Sequence, residues 1–241
     1  MGEVAGAAGD GTPSWDERLG WAYGLISDDP DERAAALRRL DSGRKVADEA
    51  QARASDAWHA ARALGLDSAA HWREPGFRRA REECDRLKAL VLPDALWDGG
   101  RRGDGGTAAW AGLPYALLFL EWEARYPAEW TLHAKAWGTK EALVRDLAAP
   151  SVVRDPLVRD KLIDLIEIVV KRAHRCKDRV YVSAARAVDG DDLRGRLDRA
   201  RRSDDPWARL HAGYVLWLLD RPELPNTRHV WRTWLAMDTA P

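Results

Sequence analysis

Three times this chain reads Asp-Pro-x-x-Arg: Asp29-Pro30 with Arg33, Asp155-Pro156 with Arg159, and Asp205-Pro206 with Arg209. Each copy is a helix start. The Asp side chain can accept from the free N–H groups of a first turn, and Pro occupies the first helical position, where its missing N–H costs nothing. The Arg can reach back across the turn to a carboxylate. Two of the copies extend to Ser-Asp-Asp-Pro, at Ser27 and at Ser203. A chain punctuated in this way is expected to fold as a series of helices with short connections.

Apolar residues at three- and four-residue steps fill the intervals between these starts. Ser14, with Glu17 three residues later, predicts a capping box and a first helix over 14–26, with Trp21 and Leu25 on one face. A second helix is expected from Pro30 to about Asp41. A third, Ala-rich, is expected over 45–64, because no Gly or Pro falls between Gly43 and Gly65; it would turn Val46, Ala50, Ala54, Ala57, Trp58, Ala61 and Leu64 toward a neighbour. Pro75 divides the helical pattern of 68–92, in which Phe77, Ala80, Cys84, Leu87 and Val91 align. The stretch 115–126 is apolar on nearly all sides and belongs in a core. The stretch 128–147 is expected to break at Gly138. In 157–170 the polar residues Asp160, Lys161, Asp164 and Glu167 fall on one narrow stripe, so this helix is expected to be the most buried. Residues 178–188 read as helix, with Val180-Tyr181-Val182 as a possible short strand. Helices over 191–202, 206–219 and 227–236 bring the total to about ten. The fold class is therefore all-α, with a single helical domain over 14–241. It follows a disordered tail at 1–13 that lacks the charge and apolar run of a signal peptide, and it is interrupted by a Gly-rich loop at 94–112.

The Asp-Pro-x-x-Arg starts are followed by Ala36, Leu37 and Leu40 in the first copy and by Ala212, Val215 and Leu216 in the last. Together these residues resemble the opening of a HEAT-repeat helix. The resemblance covers three helix starts. Their spacings, 126 residues from Asp29 to Asp155 and 50 from Asp155 to Asp205, depart from the family period of about 40 residues. The resemblance implies an irregular HEAT-like stack; an orthogonal helical bundle is the alternative. Neither assigns an activity.

Composition narrows the function classes. No apolar run approaches the ~18 residues of a membrane span, and two cysteines make no disulfide framework, so a cytoplasmic protein is expected. Arginine and alanine bias suggests a high-GC bacterial genome. The chain carries 13 Trp against 2 Phe and 5 Tyr, and most of these indoles should be structural. Asp28, Asp29, Asp31 and Glu32 match in outline the acidic cluster by which prenyl-transferring and terpene-cyclising enzymes hold magnesium. No second acidic motif accompanies it, and capping together with the helix dipole accounts for the acids. The histidines His59, His71, His133, His174, His211 and His229 form no pair at helical ligand spacing, and His174 and Cys176 diverge on a helix, so neither metal nor other cofactor is expected. There is no GxSxG elbow. The Gly run at 99–106 lacks the Lys-Ser/Thr ending of a phosphate-binding loop, and its Arg102-Gly103-Asp104 reads as coincidence.

Three candidate sites remain. Trp97 and Trp110 flank the Gly-rich loop with Arg101 and Arg102 between them, and these residue types anchor protein interfaces. The plainer alternative is a surface loop pinned by one Trp at each end. Glu121 can pair with Arg125 at i,i+4; facing a pocket instead, it would become a general acid or base. Finally, residues 151–202 hold 14 Lys/Arg against 9 Asp/Glu, a charge of +5 that leaves −6 for the rest of the chain. Arg172, Arg175 and Arg179 would share one face if the preceding helix continued, and they are candidate anion-binding residues. Such a ridge could follow a phosphate backbone, as in the DNA glycosylases that a HEAT-like fold resembles; the plainer alternative is a solvated face with Asp178, Asp191, Asp192 and Asp198 as counter-charges. The expected function is a non-enzymatic helical interaction module with a protein partner. The alternatives are a nucleic-acid-acting protein using the ridge and a small-molecule enzyme with a Trp-lined pocket.

Overall fold

The computed structural model describes residues 13–65, 70, 72–97 and 107–238. Within them the chain is all helical: eleven α-helices, four short 3-10 segments and no strand. Residues 180–182 are helical. Residues 1–12 of the expected tail and 98–106 of the expected loop lie outside the described residues. The chain packs as two compact units, residues 1–98 and 99–241, a division that the even succession of helical segments over 14–241 does not announce.

The first unit opens on α1 (Trp15–Leu19), whose capping box forms as expected: Ser14 Oγ accepts from Glu17 N, and Glu17 reaches back to Ser14 N at 2.7 Å. A 3-10 segment, Gly20–Ile26, follows. The helix beginning at Pro30 does not stop near Asp41. It runs unbroken as α2 (Pro30–Ala63), 34 residues long. Gly43, where an interruption was expected, lies inside it, and a Cβ there would sit 2.5 Å from Val91 Cγ1. Here glycine serves close packing. The buried face of α2 is Ala36, Leu40, Ala47, Ala50, Ala54 and Ala61, whereas Val46 and Leu64 are exposed. Against it packs α3 (Pro75–Lys88), with Cys84, Ala80 and Leu87 on Ala50 and Ala54. The unit ends in a 3-10 segment, Asp94–Trp97.

The second unit contains α4 (Leu113–Arg125), α5 (Pro127–His133), α6 (Trp137–Leu147), α7 (Pro156–Val170), α8 (Tyr181–Ala187), α9 (Asp191–Arg201), α10 (Pro206–Leu219) and α11 (Arg228–Asp238). The break expected at Gly138 occurs three residues earlier, at Lys135, which takes a left-handed φ of 49°; Gly138 is the second residue of α6. The aliphatic helix α7 is central, packing on α4, α8, α9 and α10. It buries Val158, Leu162, Ile163, Leu165, Ile166, Val169 and Val170, each worth roughly 1.5–3 kcal/mol against exposure. Phe119, Trp122, Trp130 and Trp137 form an aromatic chain linking α4, α5 and α6.

All three Asp-Pro caps form: Asp29, Asp155 and Asp205 accept from the N–H two residues on, at 2.9, 2.9 and 2.8 Å. The arginines do not follow one pattern. Arg33 donates to the Ser27 carbonyl at 2.7 Å. Arg159 crosses to the carbonyls of Val188 and Asp189 at the end of α8, so there the Arg stitches one helix to another instead of closing its own turn.

Candidate functional site

Helix α7 ends at Val170, and the chain turns through 171–177 before Lys177, at φ 66°, enters the 3-10 segment Asp178–Val180. The helix that would have lined up Arg172, Arg175 and Arg179 therefore does not continue. Arg172 and Arg175 turn inward, with side chains 14% and 18% exposed, and Arg179 is exposed.

What receives the two arginines is a buried ion network. Lys140 of α6 and Glu123 of α4 are fully buried, with Nζ 3.1 Å from Oε1. The same ammonium donates to Asp178 Oδ1 at 2.5 Å. Arg172 Nη2 donates to both oxygens of Glu123, at 3.0 and 3.2 Å, and to Asp178 Oδ1 at 3.2 Å. Arg175 lies 3.7 Å from Glu123 through Nε, and its backbone N–H donates to Asp178 Oδ2 at 2.7 Å; its guanidinium also reaches Thr131 Oγ1. The Lys140 ammonium lies between the faces of Trp137 and Tyr181, 5.6 and 5.5 Å from the ring centroids. Two carboxylates thus meet three cations. Both oxygens of Asp178 are in use. Buried charges persist only when paired and hydrogen-bonded in this way.

Beside the network, and sharing Asp178 and Tyr181 with it, is a cavity of about 350 Å³, at the small end of ligand-sized pockets. Part of its lining is aliphatic: Ile166, Val169 and Val170 of α7, Val182 of α8, and Leu210 and Val215 of α10. Another part is aromatic: Trp207, His211 and Tyr214 of α10 and Trp231 of α11. Trp207 stacks on His211 at 5.6 Å, and Tyr214 meets Trp231 edge-on at 4.7 Å. The aromatic part exists because the i, i+4, i+7 spacing of Trp207, His211 and Tyr214 lies along one stripe of α10. Tyr214 donates to Asn226 Oδ1 and Asn226 Nδ2 to the Arg179 carbonyl, both at 3.0 Å, which ties the loop before α11 to the start of α8. Burial lowers the His211 pKa below its usual 6.5; neighbouring His174 adds to the effect, while contact with the Val170 carbonyl opposes it. The ring is neutral at pH 7. Burial, reinforced by Glu123 and Asp178, pushes the Tyr181 hydroxyl well above 10, so it stays protonated, and it has no protein hydrogen-bond partner.

The other expected sites are placed differently. Trp97 is half-exposed at the end of the first unit, Trp110 is buried in the second, and Arg101 and Arg102 lie outside the described residues. Glu121 pairs with Arg125 at 3.5 Å, as its spacing predicts, and also with Lys161; it borders a shallow depression with its charge already matched. Asp28, Asp31 and Glu32 surround the cap of α2. Among the described residues no three His, Cys, Asp or Glu are grouped as metal ligands, and no helix is long and apolar enough to cross a membrane. In the sequence Asp178 reads only as a counter-charge to the basic segment, and neither Lys140 nor the cavity is legible there. Glu123 was the available signal, since a carboxylate on a helix apolar on nearly all sides, with Arg125 already matched to Glu121, demands a cation from elsewhere. Neither family models, curated proteins nor solved structures match this chain.

Proposed function

We propose that this chain is a non-enzymatic binding module, an irregular HEAT-like helical scaffold whose second unit seats an apolar group of its ligand in the cavity between α7, α8, α10 and α11. The observation that carries this reading is the cavity itself: ligand-sized, largely apolar in its lining and furnished with rings for contact. The buried network of Glu123, Lys140, Arg172, Arg175 and Asp178 beside it is internally paired, so it supplies rigidity. A protein partner inserting a side chain is the second reading, favoured by Trp207, which lines the cavity while 46% exposed.

A neutral naphthalene dye whose emission rises in apolar surroundings is expected to brighten on the native chain. It should fail to do so on Leu210→Trp, which fills the cavity from a half-buried position, with helical circular dichroism retained. No enhancement on the native chain, or an undiminished one on the filled variant, would overturn the reading.

A further inference from the structure

The cavity's uncommitted charge is all of one sign. Among the described residues Asp178 is its sole lining carboxylate, and Lys140, Arg172 and the Arg175 backbone N–H already occupy both its oxygens. Arg179 and Arg228 also line the cavity, are exposed, and have no ion-pair partner among the described residues. Arg228 is the first residue of α11, so the positive end of an eleven-residue helix dipole lies at the same place. Beside the cavity, the ion network holds one cation more than it has carboxylates. Tyr181, 4% exposed, contributes to the lining, while its hydroxyl is sealed from solvent and has no protein acceptor. Rings and branched aliphatics together make a lining suited to an aromatic body, since a ring packs well on Trp, and Trp231 already packs edge-on with Tyr214.

From the rings that line the cavity and the two arginines that line it without an ion-pair partner among the described residues, we infer that the ligand is a small aromatic carboxylate: its ring packs against the aromatic lining and its carboxylate faces Arg179 and Arg228. The inference rests on the binding-module reading above and adds the chemical class. A bidentate guanidinium matches a planar carboxylate, and the charge-assisted bond is stronger than one to a neutral amide. The partial exposure of the arginines makes the contribution sensitive to salt.

Isothermal titration of the full chain with naphthalene carboxylate, its neutral carboxamide and decanoate tests this. The carboxylate is expected to bind at least about tenfold tighter than the carboxamide, and tighter than decanoate. In the Arg179→Gln, Arg228→Gln double variant, both substitutions being at exposed positions, carboxylate affinity should fall to the carboxamide level with carboxamide affinity unchanged. Equal affinity of acid and amide for the native chain overturns the anion assignment and leaves the cavity reading standing. Preference for decanoate overturns the aromatic assignment. Binding by none of the three overturns the cavity reading together with the inference.

Discussion

Lys140 shows how much one side chain can hold together. It has no exposed surface, and its ammonium bridges Glu123 of α4 and Asp178 ahead of α8. Replacing it by Met keeps the volume and removes the charge, leaving a fully buried carboxylate with only the arginines. Breaking a buried pair from one side typically costs about 3–5 kcal/mol, and Lys140→Met is expected to lower the stability of the second unit by about that much. Urea denaturation followed by tryptophan emission would measure it; a loss below ~1 kcal/mol would mean that Arg172 and Arg175 suffice. Tryptophan at this scale is less demanding than its chemistry suggests. Trp122 and Trp130 are wholly buried, yet their indole N–H groups have no protein acceptor, so the packed area of two large rings outweighs two unmade hydrogen bonds.

At the scale of elements, local signals placed most helices. The caps at Ser14, Asp29, Asp155 and Asp205 all form, because capping depends on residues two or three apart and nothing else. Glycine misled in two places for a common reason: its meaning depends on what lies across from it. Gly43 continues α2 and admits Val91, and Gly138 lies within α6 while Lys135 makes the turn. Intrinsic propensity alone would make Gly43→Ala stabilising by about 1 kcal/mol. The 2.5 Å approach to a Val91 side chain that is 2% exposed reverses the sign, since overpacking a tight site costs ~1–3 kcal/mol. Gly43→Ala is therefore expected to destabilise the first unit, and pairing it with Val91→Ala should recover part of the loss beyond additivity. A double-mutant cycle by chemical denaturation checks the coupling.

Charge balance belongs to the whole molecule. The excess of +5 in residues 151–202 looks like a basic ridge on paper. In the folded second unit, carboxylates from outside that segment come to meet it: Glu121 pairs with Lys161, Glu123 with Arg172 and Arg175, Glu141 with Lys177, and Asp220 with Arg194. Arg196 gathers Asp164, Glu167 and Asp192 within the segment. Arg154, Arg179, Arg199 and Arg202 stay exposed outside these pairs, but the paired cations could meet phosphates only by giving up their carboxylates, so counterion release, the source of nonspecific affinity, would be reduced. Duplex DNA is accordingly expected to be bound weakly at 50 mM salt and not at ~150 mM, by gel shift. A steep salt dependence of tight binding would revive the nucleic-acid reading.

The sequence by itself determined that this chain is helical, where nearly every helix begins, and that α4 and α7 are core, because caps and apolar stripes are written within one or two turns of chain. Only the tertiary structure decided that 34 residues run as a single helix, that the chain packs as two units, and that Arg172 and Arg175 face inward. It alone assembled the cavity. Ion pairs spanning 123 to 178 and walls drawn from 166 to 231 depend on which helix ends where and what volume remains between packed side chains. No local pattern encodes that quantity.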